Sequence, residues 1–140
     1  MGPSIRPVSR RMQKTAEKTI YISMGTVVKN SEVYYNCIEA FRNTEYQVIM
    51  SIGDNEVDIQ NLPDHIEVYQ SVDQMAVLSI ADVFLTHCGM NSVSEALYYE
   101  VPLVMFPQTP EQEAVAKRVK ELGAGRRLAS MEKKINQEHI

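Results

Sequence analysis

The feature that best indicates the fold of this chain is the stretch THCGMNSVSE at residues 86–95. The apolar run before it, residues 81–85, is short and contains β-branched and aromatic residues, as a buried parallel strand does. Asn91 and Ser92 are favoured N-cap residues, and Ser92 and Glu95 have the spacing of a capping box. The pattern therefore predicts a strand followed by a helix that begins just after the glycine.

A helix that begins here would create a local binding site for an anion. Its first N–H groups have no partner within the helix, and they form the positive end of the helix dipole. Both would point toward His87, at the end of the strand. This arrangement suits a phosphate or a diphosphate.

Composition limits the other classes of function. The chain has 140 residues, of which 44% are hydrophobic, so it is long enough for one domain with a core. Its formal net charge of −4 provides no general basic surface for nucleic acid. Cys37 and Cys88 are too few for a disulfide framework and lack zinc-ligand spacing, which favours a cytoplasmic location. No apolar stretch approaches the roughly 20 residues of a membrane span.

Segments with strand and helix patterns alternate along the chain. Strands are predicted at 19–23, 46–52, 66–69, 81–86, 101–106 and 126–129, and helices at 31–41, 73–80, 92–99 and 111–122. This alternation predicts an α/β fold, a parallel sheet with helices on both faces. Residues 1–18 contain glycine, proline and a basic cluster without apolar periodicity, which is typical of a linker or a disordered tail.

In parallel sheets of this kind, ligands bind beyond the carboxyl ends of the strands. Three polar turns emerge at that edge, at residues 23–26, 87–91 and 107–112. We therefore expect a binding site where the three turns converge.

These turns and the helices after them closely resemble a known family signature over residues 68–119. The signature is that of UDP-dependent glycosyltransferases with the two-domain GT-B fold, and the macrolide glycosyltransferase branch is the most similar. The residues that carry the resemblance are Thr86, His87, Cys88, Gly89, Met90, Asn91, Ser92, Glu95, Val101, Pro102, Pro107, Glu111 and Gln112. Because the signature spans several elements, it is far more specific than a single glycine motif.

The resemblance extends more weakly over the rest of the chain, since residues 21–26, YISMGT, resemble the first strand and loop of the family's C-terminal domain. It implies that residues 19–140 are the Rossmann-like, donor-binding C-terminal half of a GT-B fold, truncated at its C-terminus. Residues 1–18 would then belong to an interdomain linker or a disordered tail. The whole protein would be an inverting, metal-independent hexosyltransferase acting on a small-molecule acceptor, whereas this chain alone is expected to be inactive.

The resemblance also implies roles for individual residues in binding a UDP-sugar, with UDP-glucose as the leading candidate. The residues that would contact the diphosphate are Gly25, Thr26, His87, Gly89, Asn91 and Ser92. The others are Glu95 for the ribose, Val72 and Gln74 for the uracil, and Glu111 and Gln112 for the donor sugar. The catalytic base would be a histidine of the missing N-terminal acceptor domain, which is the expected partner.

No metal site is expected, because the chain lacks the Asp-x-Asp pair by which another class of glycosyltransferase holds a divalent ion. No resident cofactor is expected either, since the UDP-sugar is a substrate. At three positions the chain departs from the family pattern. Ser71 stands where many members place an aromatic ring that stacks on uracil, Asp73 replaces a common proline, and Glu100 replaces a common glycine. A stacked base is worth roughly 1 to 3 kcal/mol in nucleic-acid binders, so we expect a weaker affinity for the base. If position 100 needs a positive φ, a glutamate there is strained.

Other interpretations stay open. The chain would also fit a non-catalytic donor-binding subunit that needs a separate acceptor-binding chain, or an epimerase-type domain that rearranges a nucleotide sugar. Single residues have structural alternatives as well. A capping-box Glu95 needs no ligand, and both Glu111 and Gln112 suit the first turn of a helix on local grounds alone.

Overall fold

Seven parallel strands form one sheet in the structure, a computed structural model that describes residues 5–6, 14–23, 31–53, 57, 62–106 and 109–127. The strands are β1 (Ile5–Arg6), β2 (Thr19–Ser23), β3 (Gln47–Ser51), β4 (Ile66–Tyr69), β5 (Val83–Thr86), β6 (Leu103–Met105) and β7 (Gly125–Arg127). Their order across the sheet is β1-β4-β3-β2-β5-β6-β7, and every neighbouring pair runs parallel. The predicted α/β fold with a parallel sheet is confirmed.

Helices in the described part cover both faces of the sheet. They are α1 (Ser31–Phe41), α2 (Gln74–Leu78), α3 (Met90–Tyr98) and α4 (Pro110–Glu121). α1 packs on one face, where its Tyr34 and Phe41 join the core cluster that contains Ile20 and Ile22 of β2. The other three helices pack on the opposite face, in the cluster that contains Tyr21. Because successive strand residues point to opposite faces, β2 contributes to both cores. None of the described helices is both long and apolar enough to cross a membrane.

Most element boundaries lie within about two residues of the predicted ones, which is the usual uncertainty of helix and strand ends. One shift matters for the site. α3 begins at Met90, directly after the glycine as predicted, but two residues before residue 92, the start that the capping pattern favours, and its N-cap is Gly89. Asn91 and Ser92 therefore lie inside the first turn and do not cap the helix.

The described residues before β2, 5–6 and 14–18, make contacts with the sheet and the residues beside it. β1, which no pattern predicts, pairs with β4. Lys14 forms an ion pair with Asp82 and donates a hydrogen bond to the main-chain oxygen of Ile80 at 3.2 Å. The main-chain N–H of Thr15 donates to Oε1 of Gln47 at 3.0 Å. That residues 1–18 link two domains stays a prediction.

Glu100, which follows α3, has the positive φ that the sequence comparison with the family suggests. Its φ is +58°, in the left-handed region that favours glycine. The main-chain N–H of Glu100 donates to Leu97 O at 3.1 Å, and the next N–H, of Val101, donates to Ala96 O at 2.9 Å. These two bonds close the C-terminal turn of the helix and hold Glu100 in this conformation.

A Glu100→Gly variant is expected to be more stable than the natural chain. Glycine removes the cost of a left-handed side chain, and after its larger entropy loss on folding the gain is about 0.5–1 kcal/mol. Urea denaturation of both proteins measures the difference. Glu100→Ala is the matched control, because it removes the same exposed carboxylate but keeps a Cβ. A gain as large in the alanine variant would show that charge, and not backbone strain, is responsible.

Candidate anion and nucleotide site

The turn between β5 and α3 is held in an unusual backbone conformation. Cys88 is completely buried and has a φ of +74°. Its main-chain N–H donates to Oγ1 of Thr86 at 3.2 Å, so the strand end itself fixes the turn. A non-glycine residue in this region costs about 1–3 kcal/mol, and such residues cluster at binding and active sites. The turn places His87 and Gly89 at the carboxyl edge of the sheet.

The N-terminus of α3 has no side-chain cap. Gly89 is the N-cap residue and makes no side-chain hydrogen bond, so the predicted capping box from Ser92 to Glu95 is wrong. The predicted box requires Ser92 to precede the helix, but the left-handed turn at Cys88 starts the helix earlier. The first intrahelical bond runs from Val93 N–H to Gly89 O at 2.9 Å. The positive end of the helix dipole is therefore available to an anion.

The ring of His87 lies beside this helix end. Its residue surface is 7% exposed, and its Nδ1 has no hydrogen-bond partner. A Cβ added at Gly89 would lie 3.3 Å from Nε2 of His87, so the glycine allows the ring to approach the helix end closely. Burial lowers the pKa of the imidazole, while a hydrogen bond with the main chain of Ser23 acts in the opposite direction. At neutral pH the ring is uncharged and carries one N–H.

A hydrogen-bonded network connects three of the predicted site residues. Nε2 of Gln74 donates to Oγ of Ser92 at 3.2 Å and to Oε1 of Glu95 at 3.4 Å. Oε1 of Gln74 accepts from the hydroxyl of Tyr21 at 2.8 Å. The network brings together residues that the family resemblance places at the diphosphate, the ribose and the uracil. The amide of Gln74 is bound to Glu95, the residue predicted to hold the ribose. That Gln74 binds the base stays a prediction.

Tyr21 is the residue of this network that sequence reasoning missed. A tyrosine in an otherwise apolar strand of the core is a signal that could have found it, because a buried tyrosine hydroxyl usually has a hydrogen-bond partner. The partner, Gln74, lies 53 residues further along the chain, so no local pattern indicates it.

The departures at Ser71 and Asp73 lie on the segment that leads from β4 into α2. Asp73 is the N-cap of α2, and its Oδ1 accepts from the N–H of Ala76 at 3.3 Å. The carboxylate thus has a structural role in starting the helix. Ser71 is exposed, while Val72 is half-buried and packs against the same core cluster as Tyr21.

The predicted sugar-binding pair lies in the first turn of α4. Thr109 is the N-cap, and its Oγ1 accepts from the N–H of Gln112 at 3.2 Å. Glu111 is exposed and Gln112 is half-buried. α4 follows β6, the strand next to β5, so the pair lies on the same edge of the sheet as His87. Its role at the donor sugar stays a prediction.

Two of the predicted diphosphate residues, Gly25 and Thr26, lie outside the described residues. Asn91 is exposed in the first turn of α3, and Ser92 is half-buried there. Within the described ranges, no three His, Cys, Asp or Glu side chains are grouped so that they could hold a metal ion.

Comparison with known proteins places this geometry in a family. The family profile described as “UDP-glucoronosyl and UDP-glucosyl transferase” matches residues 5–137. NDP-glycosyltransferase YjiC of Bacillus licheniformis is 40% identical, over 91% of this chain and 35% of its own length. Oleandomycin glycosyltransferase of Streptomyces antibioticus is 33% identical, over 84% of this chain and 28% of its own length. The chain spans about a third of the length of such relatives.

Solved structures give the same result at the level of the fold. The kitacinnamycin glycotransferase superimposes with a TM-score of 0.80 at 33% identity, over 96% of this chain and 36% of its own. The calicheamicin glycosyltransferase CalG4 superimposes with a TM-score of 0.77 at 32% identity, over 91% of this chain and 34% of its own. The sheet is that of GT-B glycosyltransferases.

Proposed function

Because this chain belongs to the UDP-glucoronosyl and UDP-glucosyl transferase family, we propose that it binds the nucleotide-sugar donor of a glycosyltransferase, with UDP-glucose as the first candidate. Residues 19–140 would form the donor-binding C-terminal half of the GT-B fold, with residues 1–18 as the end of the interdomain linker. Cytoplasmic location is part of the proposal, because neither Cys37 nor Cys88, both described, is in a disulfide.

One observation carries the proposal: Nε2 of the buried His87 ring lies close to Gly89, the residue at the uncapped start of α3. A ring nitrogen that carries a proton at this position can donate to an oxygen of a bound ligand. The helix end adds several N–H donors and a positive potential. A diphosphate supplies both the acceptors and the negative charge that these groups need.

The same groups suit the chemistry of sugar transfer. When the bond between the anomeric carbon and the diphosphate oxygen breaks, negative charge grows on the departing UDP. Donors fixed in advance at that position stabilise the charge as it develops. In the proposal, α3 and His87 do this without a divalent metal, and Glu95 holds the ribose. The acceptor hydroxyl would lose its proton to a base on the other half of the enzyme and attack from the opposite side, with inversion.

Titration calorimetry of the chain with UDP, in the presence and absence of EDTA, tests the proposal. We expect binding in both conditions with the same affinity. Absence of binding at millimolar UDP would refute a donor site, and binding that EDTA abolishes would refute metal independence. Because the sugar is not needed for the diphosphate contacts, UDP is the simplest probe.

A further inference from the structure

Tyr21 occupies the centre of the sheet and is held there by its neighbours. Its strand, β2, pairs with β3 on one side and β5 on the other. The ring stacks on Phe84 with 4.6 Å between centroids and 16° between planes. Tyr21 is 1% exposed, yet its hydroxyl reaches the polar network of the candidate site. A rigid ring that ends in one hydroxyl group is well suited to orient a neighbouring polar group.

We propose that Tyr21 is a positioning residue: it orients the Gln74 amide, which in turn holds Glu95, and it thereby supports the preference of the site for a ribonucleotide over a deoxyribonucleotide. The inference rests on the proposed function, because it assigns to Glu95 the ribose of a bound nucleotide. Tyr21 itself would touch neither the nucleotide nor the sugar.

The direction of the hydrogen bonds supports this assignment. The side chain of Gln74 has one acceptor end and one donor end. Its acceptor, Oε1, receives the Tyr21 hydroxyl proton at 2.8 Å, so its donor, Nε2, faces Ser92 and Glu95. With the amide reversed, an oxygen would face the carboxylate and repel it. Tyr21 stays protonated, because burial raises the pKa of its hydroxyl, an effect that the Ser23 side chain opposes and the charge of Glu95 reinforces.

The network fixes one carboxylate oxygen of Glu95. Gln74 binds Oε1 of Glu95, and the half-buried carboxylate is left with Oε2 for a ligand hydroxyl. A carboxylate that is held at one oxygen distinguishes a ligand that offers the hydroxyl from one that lacks it. Without the Tyr21 hydroxyl, Oε1 of Gln74 loses its donor, and the amide is no longer fixed at both ends.

The experiment compares the affinities for UDP and for deoxy-UDP, which lacks one ribose hydroxyl, by calorimetry of the full chain. The unmodified chain should prefer UDP. In Tyr21→Phe we expect that preference to fall by about three- to tenfold, the effect of one hydrogen bond. Tyr34→Phe is the matched control, since it removes another buried hydroxyl, which donates to Ser51 O at 3.2 Å from the opposite core. Its preference should not change.

Gln74→Met keeps the tyrosine and removes the link to Glu95, so it decides the question even if Tyr21→Phe does not fold. Its preference should fall as far as that of Tyr21→Phe, and the double variant should show no further loss. An unchanged preference in Tyr21→Phe or in Gln74→Met would overturn the inference, and so would additive losses in the double variant. A natural chain that binds UDP without preferring it over deoxy-UDP overturns it too. Absence of UDP binding in the natural chain is the separate failure of the proposed function.

Discussion

A His87→Ala variant is expected to bind UDP about 10- to 100-fold more weakly than the natural chain, while its affinity for uridine stays the same. A hydrogen bond to a charged group contributes about 1.5–3 kcal/mol, and each 1.4 kcal/mol is a factor of ten. In the proposal the buried imidazole lies against the diphosphate, so only the ligand that carries the diphosphate should lose affinity. Calorimetric titration with both ligands measures the two changes.

His65→Ala is the matched control for this variant. The ring of His65 lies within hydrogen-bond distance of two main-chain oxygens, at 2.8 Å from Tyr46 O and at 3.1 Å from Arg42 O. It precedes β4, at the amino edge of the sheet, away from the proposed site. Its replacement should lower stability without changing the ratio of UDP to uridine affinity. An equal loss of both ligands in His87→Ala would argue that this histidine supports the fold and not the diphosphate.

A Gly125→Ala variant is expected to lose about 1–3 kcal/mol of unfolding free energy, the usual range for overpacking. A Cβ at this position would lie 2.8 Å from the main-chain oxygen of Leu103 and 2.9 Å from its Cβ. β7 pairs with β6 through these two residues, so the added methyl group would push the strands apart. Urea denaturation measures the loss.

Gly123→Ala separates crowding from backbone strain. Gly123 has a φ of +71°, but a Cβ there would meet nothing within 4 Å. Its cost should therefore come from the backbone alone, about 1 kcal/mol. If Gly125→Ala proves no more harmful than this, then β7 moves easily, and the crowding at Leu103 is not a constraint on the sheet.

The alternation of elements could be predicted from the sequence because each strand and helix has its own apolar period and its own breakers. β1 could not, since two residues in a basic segment carry no period, and their pairing with β4 depends on the whole sheet. The capping box failed because local residue preference favours Ser92, whereas the backbone of Cys88 decides where α3 starts. Nothing in a cysteine side chain signals a positive φ.

In the candidate site, too, some features could be predicted from the sequence and others depend on how the elements pack. The resemblance to the family indicated that His87 and Glu95 lie near one ligand, and it suggested the positive φ at Glu100. The contact between Gln74 and Glu95 joins α2 to α3, and that between Tyr21 and Gln74 joins α2 to the sheet. Both depend on how elements pack, so they follow from the fold and not from any local stretch of sequence.

The lengths of the outer strands bear on how this chain behaves at high concentration. An exposed edge strand can recruit the strand of another molecule, which is how sheet proteins polymerise. Within the described ranges, the two outermost strands, β1 and β7, have only two and three residues. So short an edge offers few main-chain groups to a second copy. At both margins of the described sheet, pairing with a second copy is therefore limited to two or three residues.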